Sequence, residues 1–152
     1  MLKNIFLFVF CIAIWFVSFL FPLDYSFYQS LNLPSFAPPV AFFSIAWTIT
    51  YLFIGISMYL NLSTYSFSEL PNSYKISLVV NYLFNQSFVL LFFGLKNTFF
   101  GFAACMGMFL SLLFLYQESM ALHEKSAIAL RPYVLLSVFA TVLSLSIYLL
   151  NL

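Results

Sequence analysis

The side chains best suited to chemistry in this chain lie in one segment, where Trp47, Tyr51, Gly55 and Tyr59 recur every four residues. At that spacing an indole and two phenols share one face of a helix and present a broad aromatic surface. Three prolines between positions 34 and 39 precede this face. Each proline fixes its own φ and restricts the residue before it, which predicts a rigid extended strap. A stiff strap beside an aromatic helix face could roof a ligand pocket.

A second candidate is Asn85, a bare amide inside a long apolar run, with Asn81 one turn earlier on the same helix face. A polar side chain in lipid is expensive, so it is expected to face the interior of a helix bundle. There it either makes a helix–helix hydrogen bond worth about 0.6–2 kcal/mol or offers a ligand a polar contact. Both interpretations stay open at the level of sequence.

A third candidate is the cluster of Glu118, His123, Glu124 and Lys125. A histidine beside carboxylates could bind a metal or titrate near neutral pH. The pattern is more typical of a solvated helix end, and a single histidine cannot form a metal site by itself. We therefore predict no metal site here.

The cysteines and the remaining polar residues give no sign of catalysis. Cys11 and Cys105 lie inside apolar runs without a ligand at metal spacing, which predicts that they are small buried hydrophobic residues. No nucleophile–base pair and no carboxylate dyad falls within the apolar segments. We predict no catalytic residue.

Composition sets the class of protein. The chain has 152 residues, of which 64% are hydrophobic and 6% are charged. A soluble domain carries about 25% charged residues, so this chain cannot cover a globular surface with charge. Its solvent must be the lipid bilayer, and we predict a multi-pass membrane protein. The net charge of +1 offers no basic surface to nucleic acid, which is not expected as a partner.

Five stretches are long and apolar enough to cross a bilayer as helices, which takes about 20 residues each. They are predicted at 4–21, 40–62, 74–93, 98–121 and 127–150. Every backbone amide in lipid needs an internal partner, and the runs lack the two-residue alternation of barrel strands. We therefore predict an all-α integral membrane protein with a single domain, 1–152, in which a Pro-rich first loop caps a pocket in a bundle of five transmembrane helices.

The basic residues predict an orientation. Lys96 falls on the side of the strap, whereas four cations fall on the side of the N-terminus: Lys3, Lys75, Lys125 and Arg131. This distribution favours a cytoplasmic N-terminus in a bacterial cell membrane. No small-residue cleavage site follows the first apolar stretch, so we expect a retained first helix. The lack of a transit segment favours bacteria over mitochondria.

Two features concern packing. Ala103, Gly107 and Ser111 place small residues at i, i+4 and i+8, a spacing that lets two helices approach closely. Packing within the bundle is the main interpretation, and a homodimer contact is the alternative. Pro132 is expected to occupy the first turn of the fifth helix or to kink that helix.

Three separated blocks coincide with one family. The blocks are Pro34-Ser35-Phe36-Ala37-Pro38-Pro39 with Trp47, Tyr51, Gly55 and Tyr59; Asn85 with Phe92-Phe93-Gly94; and Pro132-Tyr133 with Phe139-Ala140-Thr141-Val142-Leu143. In order and spacing they resemble the translocator protein family, also called tryptophan-rich sensory proteins or peripheral benzodiazepine receptors. The resemblance covers about 31–144, most of the chain.

This resemblance implies a five-helix bundle whose first loop folds over a pocket at one end. Members of the family bind tetrapyrroles such as protoporphyrin IX, and some bind sterols or synthetic isoquinoline and benzodiazepine-like ligands. They are often dimers, and some bacterial members have been assigned light- and oxygen-dependent breakdown of porphyrin. For this chain the resemblance implies no required cofactor, with a porphyrin or haem-like tetrapyrrole as the bound molecule.

The chain departs from the family mainly by losing tryptophans. The positions at which the family has tryptophan carry Phe36, Ala41, Gln86, Phe88 and Leu136. Only Trp47 keeps the family's indole, since Trp15 lies outside the blocks; Ser144 replaces an asparagine, and Phe100 matches an aromatic position. Members that degrade porphyrin are thought to use the tryptophans matched here by Trp47 and Leu136. Leucine cannot donate an electron, so we do not expect an enzyme.

The predicted ligand-binding residues are Phe36, Phe43, Trp47, Asn85, Phe88, Phe100, Leu136 and Ala140, and the predicted dimer or packing residues are Ala103, Gly107 and Ser111. We predict a membrane receptor or binding protein for a hydrophobic small molecule, a tetrapyrrole ahead of a sterol or a lipid. Its role would be sensing, sequestration or transport. The alternatives are a porphyrin-degrading enzyme and a structural or assembly protein without a small ligand.

Overall fold

The computed structural model describes residues 2–152, and all the regular structure in that range is helical. We label the helices α1 (Leu2–Ala13), α2 (Tyr25–Ser30), α3 (Val40–Thr64), α4 (Asn72–Val89), α5 (Thr98–Leu122) and α6 (Glu124–Leu150). A 3₁₀ segment, Ile14–Leu20, continues α1, and a π-helical turn, Leu90–Gly94, continues α4.

Five helices are long and apolar enough to span a membrane: Leu2–Leu20, Val40–Thr64, Asn72–Gly94, Thr98–Leu122 and Glu124–Leu150. The prediction of an all-α membrane protein with five spans is confirmed. Large apolar side chains face outwards, as Phe114 (65% exposed) does, because the surrounding solvent is lipid and apolar side chains cost nothing there.

The five spans form a ring. α3 contacts α1 and α6, α6 contacts α5, and α5 contacts α4. The 3₁₀ segment closes the ring because it contacts both α4 and α3. Since the connections are short, successive spans run in opposite directions, and the ends of α1, α4 and α6 meet the starts of α3 and α5 at one end of the bundle.

The helix starts follow from local chemistry. Pro39 and Pro71 directly precede α3 and α4 with extended ψ angles of 147° and 145°, as proline permits where a helix has not yet begun. The side-chain oxygen of Asn97 accepts the amide N–H of Phe100 at 3.0 Å and caps α5. His123 is the single residue between α5 and α6.

The first loop differs from the strap predicted for it. It contains α2, which the sequence analysis did not predict, and a turn at Ser35 and Phe36 in which the Ala37 amide donates to the Pro34 carbonyl at 2.9 Å. The strap is therefore not extended throughout. A proline restricts the residue before it. Ser35 and Phe36 are neither prolines nor directly followed by one, so the chain turns there.

Two other backbone features are the positive φ angle of Lys96 and the position of Pro132 within α6. Lys96, between the π-helical turn and α5, has a φ of 50°, a region that residues other than glycine adopt uncommonly. Pro132 lies in the third turn of α6, which begins at Glu124. The alternative that Pro132 occupies the first turn is therefore wrong, and the carbonyl of Ile128 loses its helical partner because proline has no N–H.

Gly107 and Ser111, two of the three small residues predicted to let helices approach closely, pack within the bundle. A Cβ atom added at Gly107 would collide with the ring of Phe84 on α4, and the Ser111 hydroxyl donates to the Gly107 carbonyl at 2.7 Å. Ala103 is half-buried on the same helix. Packing against α4 thus accounts for Gly107 and Ser111, whereas the homodimer contact stays a prediction.

Candidate functional site

A cavity that is partly open to the outside lies at the end of the bundle beneath the first loop, and its empty space amounts to about 930 Å³ when the open solvent at its mouth is included. Four of its walls are transmembrane: the 3₁₀ segment, α3, α4 with its π-helical turn, and α6, with α5 adding Cys105 and Met108. The fifth wall is the loop itself, which contributes Leu23, Tyr25 and Tyr28. The predicted pocket beneath the first loop is present, and α2 is the part of the loop that covers it.

Aromatic rings line much of the cavity. Phe43 and Trp47 face it from α3, and Phe88, Phe92 and Phe93 face it from α4 and its π-helical turn. Phe88 and Phe92 are stacked, with centroids 5.4 Å apart and planes 10° from parallel. The π-helical turn is what allows consecutive rings to serve one wall, because its extra residue per turn shifts the helix face. The surface suits a flat apolar molecule.

A buried hydrogen-bond network lies beneath the aromatic wall. The Tyr133 hydroxyl on α6 donates to the Asn81 side-chain carbonyl at 3.0 Å and accepts from the Asn85 amide at 3.0 Å. Asn81 also donates to the Met108 carbonyl at 2.9 Å and to Ser111 at 3.1 Å. Asn85 therefore makes the predicted helix–helix hydrogen bond, and because it also lines the cavity its contact with a ligand stays a prediction. Asn81 is a helix–helix contact.

The network continues to the first span through Gln86. The side-chain N–H of Gln86 donates to the side-chain carbonyl of Asn85 at 2.9 Å. It also donates to the Trp15 carbonyl at 3.2 Å and accepts the Ser18 amide N–H at 2.6 Å. A side chain that enters the backbone ladder in this way bends or rewinds a helix, which explains why the first span changes from α to 3₁₀ at this depth.

The Ser18 hydroxyl pairs with the Tyr51 hydroxyl at 2.9 Å, and both residues line the cavity. Trp47, Tyr51, Gly55 and Tyr59 form a stripe along one face of α3. The ring centroids of Trp47 and Tyr51 lie 5.6 Å apart. Farther along the stripe, Gly55 and Tyr59 contact α1 instead: a Cβ atom at Gly55 would lie 2.7 Å from the Cα atom of Ile12, and Tyr59 packs edge-on against Phe8 at 5.2 Å. Half of the stripe serves the cavity and half serves helix packing.

The loop over the cavity is held at two points. At the start of α2, the Asp24 carboxylate accepts the Phe27 amide N–H at 3.0 Å and pairs with the Lys96 ammonium at 2.9 Å. The hydrogen bond from Lys96, helped by those from Ser26 and Phe27, holds the pKa of Asp24 well below its usual range. The pair is consequently intact at neutral pH and is lost only as the pH falls through that lowered pKa.

The second attachment joins the end of α2 to the end of the chain. The Asn151 side chain accepts the Asn32 amide N–H at 2.9 Å and donates to the Asn32 carbonyl at 3.0 Å. The Asn32 side chain in turn donates to the Leu150 carbonyl at 3.3 Å. Between these attachments α2 places Tyr25 and Tyr28 over the cavity.

The structure brings five of the eight predicted ligand-binding residues to the cavity: Phe43, Trp47, Asn85, Phe88 and Ala140. Three lie elsewhere. Phe36 is in the turn of the strap, 48% exposed, with its ring 6.4 Å from that of Phe139. Phe100 is 44% exposed in the first turn of α5. Leu136 is half-buried one turn deeper in α6 than Ala140, which is the deepest α6 residue on the cavity wall.

Other lining residues were missed by the sequence analysis. The α6 wall consists of Ala140, Leu143, Ser144 and Ile147, whose spacing of three and four residues is that of one helix face. α2 had a signal as well, because aspartate, present here as Asp24, is a preferred N-cap residue. Ser18 had no such signal, since it becomes a lining residue only through its contacts with other helices.

Comparisons with known proteins identify relatives of this chain. The family model described as the TspO/MBR family matches residues 6–150. The tryptophan-rich protein TspO of Bacillus cereus is 35% identical over 134 residues, which is 88% of this chain and 86% of that protein. The tryptophan-rich protein TspO of Archaeoglobus fulgidus is 32% identical over 130 residues, covering 82% and 79% of the two chains. The membrane protein YtaB of Bacillus subtilis is 31% identical over 134 residues, covering 88% and 86%.

The chain belongs to the TspO/MBR family.

Two of the positions at which the family resemblance implies a tryptophan have defined contacts in this structure. At one of them this member of the TspO/MBR family has Gln86, whose amide is fully engaged with the first span and with Asn85. At another it has Phe88, which stacks on Phe92 in the cavity wall. The first replacement exchanges an indole for a polar link between helices, and the second keeps an aromatic surface without an N–H donor.

The opposite end of the bundle holds the remaining polar candidates. Glu118 accepts a hydrogen bond from Ser73 at 2.8 Å, and His123 joins α5 to α6. Within residues 2–152, no three His, Cys, Asp or Glu side chains lie close enough together to hold a metal ion. Cys11 and Cys105 are buried free thiols, 0% and 2% exposed, as predicted for small hydrophobic residues.

Proposed function

We propose that this TspO/MBR-family protein binds a hydrophobic, tetrapyrrole-like small molecule in the cavity beneath α2, and that it senses, sequesters or carries that molecule. The observation that carries the proposal is a cavity walled by six aromatic residues of α3, α4 and its π-helical turn and covered by a loop attached at two points. Each stacked ring contributes about 0.5–1.5 kcal/mol beyond the burial of apolar area.

The proposed setting is a bacterial cell membrane with the N-terminus in the cytoplasm. Four of the five basic residues lie towards the N-terminal side of the spans, and Lys96 alone lies at the cavity end. By the positive-inside rule this distribution supports a cavity and α2 on the outer side. The proposal therefore gives the ligand access from outside the cell or from the outer leaflet.

The test is a titration of detergent-purified protein with protoporphyrin IX, followed by quenching of tryptophan fluorescence. We expect saturable binding of one ligand per chain. Phe43→Ala and Phe88→Ala each remove one ring from the cavity wall and should weaken binding about two- to tenfold. Phe114→Ala is the matched control, because Phe114 lies on the outer face of α5 and should change nothing. Absence of saturable quenching with any porphyrin would contradict the proposal.

One observation favours a second candidate, the light- and oxygen-dependent degradation of porphyrin. Trp47 lines the cavity and its indole lies edge-on to Tyr133, with centroids 6.3 Å apart, so an electron-rich ring faces any bound macrocycle. Illumination of the complex in air would then convert porphyrin into a new absorbing product, and Trp47→Phe would abolish that conversion. An unchanged porphyrin spectrum would leave binding as the function.

A further inference from the structure

The charged residues of this chain are distributed very unevenly with respect to the cavity. Of the nine charged side chains, only Asp24 and Lys96 lie at the cavity end, and they pair with each other at 2.9 Å. The other seven are at the opposite end of the spans: Lys3, Glu69, Lys75, Glu118, Glu124, Lys125 and Arg131. The cavity end therefore has no uncompensated cation to offer a ligand.

The cavity wall itself is neutral. Every lining residue in the described part of the chain is apolar, aromatic, hydroxylic or an amide. An ionised carboxylate buried against such a wall would lose its hydration without gaining a counter-ion, which is strongly unfavourable. Lys96 cannot serve as that counter-ion while it pairs with Asp24, whose neighbours Leu23 and Tyr25 line the cavity.

One buried polar group in the wall has no partner. Tyr28, on α2, is 5% exposed and lines the cavity, yet its hydroxyl makes no hydrogen bond with any described residue. Burial raises the pKa of this phenol above its ordinary value, so the hydroxyl stays protonated and remains a donor. A buried donor without a partner is costly, and a neutral acceptor on a ligand would satisfy it.

We propose that the cavity selects neutral hydrophobic ligands that carry a hydrogen-bond acceptor, such as an ester, ketone or ether, for the Tyr28 hydroxyl, and that it discriminates against ligands with ionised carboxylates. Within the tetrapyrrole class this means esterified or otherwise uncharged macrocycles rather than free diacids. The inference rests on the proposed function, because it specifies which members of the ligand class the same cavity accepts.

The experiment compares two ligands with the same macrocycle, protoporphyrin IX and its dimethyl ester, at pH 7.5 in neutral detergent. Ligand partition into micelles is subtracted with the Ala140→Phe protein, in which a phenyl ring fills the cavity wall. We expect the ester to bind at least about tenfold more tightly than the diacid, which corresponds to about 1.4 kcal/mol.

Two variants separate the causes. Asp24→Asn keeps a cap for the Phe27 amide but frees Lys96, so it should strengthen binding of the diacid and leave the ester unchanged. Tyr28→Phe removes only the hydroxyl and should weaken binding of the ester about three- to tenfold, the worth of one hydrogen bond.

The outcomes distinguish the two proposals. If neither porphyrin binds saturably, the proposed function fails and this inference fails with it. If both bind but the diacid binds as tightly as the ester or more so, the inference is overturned and the proposed function stands. An Asp24→Asn protein that changes the affinity for both ligands equally would also overturn the electrostatic selection proposed here.

Discussion

At the scale of residues, the polar side chains inside the membrane decide how the cavity is built. Tyr133 is 0% exposed and its hydroxyl holds both Asn81 and Asn85. Gln86 extends the same network into the backbone of the first span. Since lipid offers no alternative partners, each bond removed leaves a buried group unsatisfied.

We predict that Tyr133→Phe lowers the free energy of unfolding by about 1–2 kcal/mol, because it orphans the Asn81 carbonyl and one donor of Asn85. Unfolding in mixed micelles of increasing denaturing detergent measures the change. Tyr148→Phe is the control on the same helix, since the Tyr148 ring packs at 5.4 Å from Phe99 while its hydroxyl makes no hydrogen bond within residues 2–152. Equal effects of the two substitutions would argue against the network.

We predict that Gln86→Leu alters the first span as well as stability. Without the amide, Trp15 and Ser18 lose the side chain that bridges their backbone groups. The 3₁₀ segment should then change towards α-helix. In a Trp47→Phe background Trp15 is the sole indole, so its emission should shift to longer wavelength as its buried environment loosens. Ser87→Ala is the control, because the Ser87 hydroxyl bonds only within α4, at 3.1 Å from the Phe84 carbonyl. An unmoved Trp15 spectrum would contradict this role of Gln86.

At the scale of elements, close approach and loop attachment fix the arrangement. A Cβ atom at Gly55 would lie 2.7 Å from a backbone atom of α1, whereas one at Gly107 would meet the end of the Phe84 ring. Phe84 is 38% exposed and can swing towards lipid, but the backbone of α1 cannot move without separating the helices.

Gly55→Ala is therefore expected to destabilise the protein by about 1–3 kcal/mol, the usual cost of overpacking, and Gly107→Ala by clearly less. Both substitutions add one methyl group to a transmembrane helix, so each is a control for the other in the same unfolding assay. The reverse ranking would show that α4 and α5 are less able to adjust than α1 and α3.

Gly107→Leu tests the dimer prediction separately, since unchanged dimers after it would place that contact elsewhere.

The attachment of α2 by Asn151 should control its mobility. Asn151→Ala removes two hydrogen bonds to the backbone of Asn32, and we expect faster amide hydrogen exchange across 21–39. Mass spectrometry of peptides from this loop measures the rate, and Asn72→Ala at the opposite end of the bundle should leave it unchanged. Slow exchange retained in Asn151→Ala would mean that the Asp24–Lys96 pair suffices to hold α2.

At the scale of the whole molecule, sequence and structure agree on what lipid dictates. Spans, their number and the end at which the cavity lies follow from hydropathy and the prolines, because a bilayer allows few alternatives. The face of α3 that carries Trp47 and Tyr51 was recognised from spacing alone.

What sequence reasoning missed depends on contacts between distant segments. Leu136 matches a family position yet lies below the cavity, and Phe36 turns away because the strap is not extended. Ser18 reaches the cavity wall because Gln86, 68 positions later, holds its backbone. Such placements are set by tertiary hydrogen bonds, which no periodicity encodes.

The central claim is that the cavity beneath α2 is the ligand site. The most direct test fills it: Ala140→Phe places a ring in the cavity wall, and Val138→Phe places the same ring on the outer face of α6, where Val138 is 42% exposed. With protoporphyrin IX dimethyl ester as the probe, the account predicts that Ala140→Phe abolishes saturable quenching while Val138→Phe binds as the unmodified protein does. Equal binding by both variants would contradict the account, because the ligand would then sit elsewhere.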